Sequence, residues 1–146
     1  MKKDVLISIN GLQIMDEDQD QVEVITPGEY YNKNGKHFLL YDEVSADFDG
    51  VTKNTIKINE NIVEIKKKGY TNVHMIFQEN KKNMTYYDTP FGNLLVGLCA
   101  NNISIKEVEE LIDVDIAYSL EINEEHIANC KINLQIKPQL EGAFTL

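Results

Sequence analysis

This sequence predicts an all-β protein: a single antiparallel up-and-down barrel of about eight to ten short strands with at most one short helical turn. Three observations lead there. Apolar residues recur at every second position through most of the chain, which is the period of a half-buried strand. Turn residues interrupt the pattern at intervals of roughly 8–12 residues. Successive segments are joined by hairpin-type turns, and closing such a meander into a barrel removes its exposed edges.

Val5, Ile7 and Ile9 alternate with Leu6, Ser8 and Asn10 and mark the first strand, with Gly11 as a bend. Asp16 to Asp20 form a solvated acidic turn. Their spacing imitates the start of a calcium loop, but that loop needs glycine at its sixth position and glutamate at its twelfth, where Gln21 and Pro27 stand. Val22 and Val24 open a second strand, which Pro27-Gly28 should interrupt before it resumes at Glu29-Tyr30-Tyr31. Asn34-Gly35 is a strong hairpin signal. On the third strand His37, Leu39, Tyr41 and Glu43 share one face. After a turn at Asp47-Phe48-Asp49-Gly50, Ile56 and Ile58 mark a fourth strand, Val63, Ile65 and Lys67 a fifth, and Val73, Met75 and Phe77 a sixth.

Met84 to Val96 reads as two strands meeting at a Pro90-Phe91-Gly92 corner, where proline and glycine suffice to turn the chain. Leu94, Val96, Leu98 and Ala100 then alternate. Ser104-Ile105-Lys106-Glu107 has the form of a capping box, with Val108, Leu111 and Ile112 at helical spacing, so a short helical turn is expected there. Val114, Ile116, Tyr118, Leu120 and Ile122 form one strand face, and Cys130, Ile132, Leu134 and Ile136 face inward on the last strand. One domain spanning 1–146 is expected, with its core at about 4–137 and a loose tail at 138–146.

Composition narrows the function classes. A hydrophobic content of 42% with 26% charged residues is ordinary for a soluble globular protein. No apolar run approaches the ~18 residues of a membrane helix, and the N-terminal apolar run meets Asn10 too early for a signal peptide. We therefore expect a cytoplasmic protein without membrane contact. The net charge of −10 repels phosphate backbones, and the chain has no arginine, so nucleic acid binding is not expected. Cys99 and Cys130 match no metal or redox spacing and read as free structural thiols. His37, His74 and His126 have no paired spacing for a metal, and each reads as an exposed strand or turn residue. The acidic Glu107, Glu109 and Glu110 read as a solvated face.

The sequence also carries an ordered set of short motifs: Gly28-x-Tyr30 with Tyr31, Tyr41-x-Glu43, Val63-x-Ile65-x-Lys67-x-Gly69, Met75-x-Phe77, Tyr87-x-Thr89-Pro90-Phe91-Gly92 and Ile116-Ala117-Tyr118. In order and spacing, from about Asp4 to Lys137, the chain resembles the YwiB-like family of small uncharacterised bacterial proteins. The resemblance implies a lipocalin-like (calycin) β-barrel and brings no assigned activity. In that family the strand before the glycine usually carries arginine where this sequence has Lys67, so a point ammonium replaces a planar fork.

Alternation places Tyr41, Glu43 and Lys67 on faces with apolar neighbours, and a charge turned into a barrel costs several kcal/mol unless paired. One reading joins Glu43 and Lys67 in the lumen, with Tyr41, Tyr87, Thr89 and Tyr118 completing a polar lining that orients a small amphipathic ligand. The plainer readings are strand-end charges reaching water, or an ion pair that fixes strand register. No nucleophile with a base, phosphate loop or dinucleotide fingerprint appears, so no catalytic residue, metal ligand or cofactor site is assigned. Three functions remain. The first is a non-enzymatic barrel with a small ligand in its lumen. The second is a filled barrel that docks a partner through its acidic face or a strand edge, and the third is an enzyme of unknown class.

Overall fold

Ten strands account for nearly all of the described residues, 3–11, 23–44, 50–89 and 92–139, in a computed structural model of the chain. In chain order they are β1 (Asp4–Asn10), β2 (Glu23–Lys33), β3 (Lys36–Val44), β4 (Val51–Asn59), β5 (Ile62–Lys68), β6 (Val73–Gln78), β7 (Lys82–Thr89), β8 (Gly92–Val108), β9 (Leu111–Ile122) and β10 (Glu125–Pro138). The acidic turn at 16–20, the turn residues 47–49, Pro90 and Phe91 of the corner, and the tail from 140 lie outside the described residues.

The sheet order β6-β5-β4-β3-β2-β1-β10-β9-β8-β7 is a meander whose two terminal strands pair with each other, Val5 opposite Pro138 and Ile7 opposite Ile136. All the ladders are antiparallel. The sheet's ends, β6 and β7, meet at a seam. There Asn72 and Asp88 exchange backbone hydrogen bonds of 2.9 and 2.8 Å, and Asn80 N–H donates to the Ala100 carbonyl at 2.9 Å. The result is a nearly closed up-and-down barrel. No helix among the described residues is long and apolar enough to cross a membrane.

Two-residue turns set the register. Asn34 and Gly35, at φ 54° and 80°, connect Lys33 to its partner Lys36 as the Asn-Gly signal predicts. Asn123 and Glu124 do the same between Ile122 and Glu125 with φ of 52° and 69°. The inward rows read from the sequence, such as Val5, Ile7 and Ile9 or Val73, Met75 and Phe77, are buried. They merge into one hydrophobic core that runs the length of the barrel. Ile7, Leu39, Ile56, Ile58, Met75, Phe77, Leu98, Ile112 and Val114 within it are 0% exposed, so a water molecule touches no part of their surfaces.

Two expectations about individual elements fail. β2 runs unbroken through Pro27-Gly28, because Glu23–Gly28 pair only with β1, and proline is tolerated where one side of a strand carries no ladder. No helical turn forms at Ser104. A bulge between Ala100 and Asn102 shifts the alternation of β8 by one, and Ile103 and Ile105 then take the inward face up to Val108. The Ser-x-x-Glu spacing that resembled a capping box is part of this long strand, which turns at Glu109-Glu110 with Glu110 at φ 66°.

Candidate functional site

Three neighbouring strands converge on one polar cluster at the end of the barrel where β3 ends and β4 begins. Register places Tyr41 opposite Asn54, and Asn54 opposite Lys67, so their side chains form one inward row across β3, β4 and β5. The next inward residue of β3, Glu43, lies across from Thr52. The Lys67 ammonium donates to Glu43 Oε1 at 2.9 Å and to Asn54 Oδ1 at 2.9 Å. Asn54 Nδ2 reaches Glu43 Oε1 at 3.3 Å and the Thr52 carbonyl at 3.2 Å.

Exposure grades steeply across this cluster. The Asn54 residue is 1% exposed, the Lys67 side chain 14% and the Glu43 side chain 53%. The ammonium is thus held mostly out of water by its stem and two acceptors, while the carboxylate remains half solvated. This arrangement avoids the full cost of burying both charges. Tyr41 is buried, and its phenol is pushed above the usual tyrosine range by burial and then by the Glu43 carboxylate.

The other residues expected to line a lumen are spread out. Tyr87 is half-buried against the core, and the Asn72–Asp88 bridge sets it beside Val73 in the same row as Lys67. Thr89 ends β7 in register with Gly92, and its side chain lies outside what is described. Tyr118 is away from the ion pair, inside the barrel, with its ring edge-on to Phe77 at 4.9 Å between centroids. Its hydroxyl is buried with no oxygen or nitrogen partner. The Cys130 thiol, its neighbour across the β9–β10 ladder, lies beside that hydroxyl as a weak sulfur partner. Burial holds both the Tyr118 phenol and the Cys130 thiol above their usual ranges.

A second buried polar group, at the opposite end of the barrel, was not expected. His37 is 7% exposed rather than a solvated strand residue. Its Nδ1 is 2.6 Å from the Tyr30 hydroxyl, and its Nε2 is 3.5 Å from Glu107 Oε2. The long β8 carries Glu107 to it, which the helical reading of that segment hid. His74 and His126 are exposed, His74 beside Glu64 at 3.0 Å. Asn54 was also missed, although its parity with Ile56 and Ile58 marks it as inward-facing.

Near the Lys67 cluster the barrel wall opens. The β2–β3 ladder runs only from Glu29–Leu40 to Lys33–Lys36, and beyond it the two strands part. A groove of about 580 Å³ lies in the gap, lined by Thr26 to Glu29 of β2, Leu40 to Asp42 of β3, Lys53 to Thr55 of β4, and Asp4 and Gln139. Tyr41 and Asn54, buried residues whose side chains belong to the inner face, border this groove.

Neither cluster assembles a nucleophile, base and oxyanion donors at one point. Among the described residues no group of three or more His, Cys, Asp or Glu residues is placed to hold a metal ion. The arrangement suits recognition: a fixed cation, amide and phenol near an opening in the wall.

Residues 7–134 match the family described as "Domain of unknown function (DUF1934)". The chain is 27% identical over 139 residues to the uncharacterized beta-barrel protein YwiB of Bacillus subtilis (strain 168), covering 92% of this chain and 96% of that protein. The crystal structure of the ywiB protein from Bacillus subtilis superposes with a TM-score of 0.77 at 21% identity, over 94% of this chain and 93% of that one. That likeness concerns the fold.

Proposed function

Since this chain belongs to the DUF1934 family, we propose that it is a cytoplasmic, non-enzymatic interaction module, a filled calycin-like barrel that recognises a partner on its outer surface. One observation carries this reading. The inward side chains along the middle of the barrel, from Ile7 and Leu39 to Phe77 and Val114, leave no surface that a water molecule can touch. A ligand chamber needs several hundred Å³ of such space. The two free thiols, Cys99 and Cys130, are consistent with a reducing compartment.

A second reading is favoured by the nearly buried Lys67 ammonium. A small amphipathic ligand seated at that end of the barrel would set its polar group against Lys67, Glu43 and Tyr41, with Tyr87 beside them and Tyr118 deeper inside. Titration with a fluorescent fatty-acid analogue separates the two. The interaction reading expects no saturable uptake. One-to-one uptake that Lys67→Met weakens would favour the ligand reading instead.

A further inference from the structure

We propose that the cleft where β2 and β3 part receives an extended, basic peptide strand from a partner protein, added along the free edge of β3. This rests on the interaction reading above and names the partner's chemistry.

The backbone supplies the first argument. Among the described residues, Tyr41–Val44 pair with β4 on one side and have no ladder on the side facing β2. Glu23–Gly28 likewise pair with β1 alone. Two strand edges thus face each other across a groove of about 580 Å³. An edge with unpaired N–H and C=O groups is a template for another strand, and strand addition is a recurrent mode of peptide recognition. Pro27 lacks an N–H, so the main-chain pairing falls chiefly on β3.

Side chains supply the second argument. Val24 has inward parity on β2 yet is 38% exposed, because β3 no longer covers it. On the outer face Ile25 and Val44 are 64% and 74% exposed. A strand placed between β2 and β3 would cover Val24 and Tyr41 with its inward residues and lie between Ile25 and Val44 with its outward ones.

Charge selects the sequence. Asp4 and Glu29 stand directly opposite each other across β1 and β2 and both line the groove; the Lys3 ammonium lies near both, and the Tyr31 hydroxyl donates to Glu29 Oε2 at 2.6 Å. Asp42 adds a third carboxylate, against Lys53 as the lining ammonium. The net charge of −10 draws cations toward the whole molecule. The fitting occupant is an extended segment alternating apolar with lysine or arginine residues.

The test is binding of a short synthetic peptide alternating lysine and valine to the full chain, read by fluorescence anisotropy and by amide chemical shifts. Saturable binding is expected, with the largest shifts at Tyr41–Val44 and Val24–Gly28. N-methylation of alternate peptide amides should weaken it by at least about tenfold, and Glu29→Lys by about fivefold. Binding that ignores N-methylation, shifts centred elsewhere, or equal affinity for a glutamate–valine peptide would overturn the proposal. Contacts between residues 141–146 and Tyr41–Val44 in the free protein would also overturn it, by making this chain's own C-terminal segment the occupant. Saturable uptake of the fatty-acid analogue contradicts the broader interaction reading. Failure of the peptide without such uptake removes only the strand-addition proposal.

Discussion

Lys67 on β5 and Glu43 on β3 meet at 2.9 Å although a whole strand lies between them, and Asn54 on that intervening strand bonds to both. The pair therefore spans three strands at the end of the barrel. Its partners differ in burial, and this asymmetry decides what each substitution should do.

Lys67→Met keeps most of the stem's packing but removes the donor to Asn54 Oδ1, which lies on a residue 1% exposed. Leaving that acceptor unpaired should cost about 1–2 kcal/mol. Glu43→Gln should cost less than about 1 kcal/mol, because the carboxylate is half solvated. Urea denaturation measures both. A change within about 0.5 kcal/mol for Lys67→Met would show that the ammonium is a dispensable strand-end charge.

Tyr118→Phe should stabilise the barrel by up to about 1 kcal/mol, since it removes a buried hydroxyl that has only a weakly bonding thiol beside it and keeps the ring against Phe77. The midpoint of urea unfolding should rise at constant slope. A loss of more than about 1 kcal/mol would mean that the hydroxyl is bonded in solution.

Alkaline pH should unfold the protein. The phenols of Tyr41 and Tyr118 are held above their usual range, chiefly by burial. They keep their protons in the barrel at pH values where the unfolded chain releases them. The unfolded state then binds fewer protons, so stability is full below about pH 10 and falls as pH rises past it. Phenolate absorbance should show the Tyr41 and Tyr118 phenols ionising only as the barrel opens. The double variant Tyr41→Phe with Tyr118→Phe should shift the loss to higher pH.

Gly69→Ala and Gly35→Ala separate crowding from backbone preference. At Gly69 (φ 156°) an added Cβ would come within 2.6 Å of the Val51 carbonyl oxygen and 2.7 Å of Thr52 Cα. At Gly35 (φ 80°) it would meet open space. Thermal unfolding should show a loss of about 2–4 kcal/mol for Gly69→Ala and of about 1 kcal/mol for Gly35→Ala. Equal losses would contradict the close approach of β4 to the β5–β6 connection.

Much of this barrel was legible because two-residue periodicity is a direct imprint of a strand buried on one face. Val5, Ile7 and Ile9, the Asn34-Gly35 hairpin and the single face shared by His37, Leu39, Tyr41 and Glu43 follow from it. The errors arose where periodicity changes phase. The bulge after Ala100 hid the continuation of β8, so Glu107 was read as helical and His37 as exposed. The pairing of Glu43 with Lys67 could be anticipated from two inward charges needing compensation. The position of Tyr118 could not, because barrel tilt sets depth along the axis and periodicity carries no information about depth.

A barrel filled by its own side chains, with recognition on its outer surface, should hold no small molecule. Native mass spectrometry of freshly purified protein tests it most directly. A single species at the mass of the chain alone is expected. A stoichiometric small-molecule adduct, lost on denaturation and absent from a Lys67→Met variant of intact fold, would contradict it.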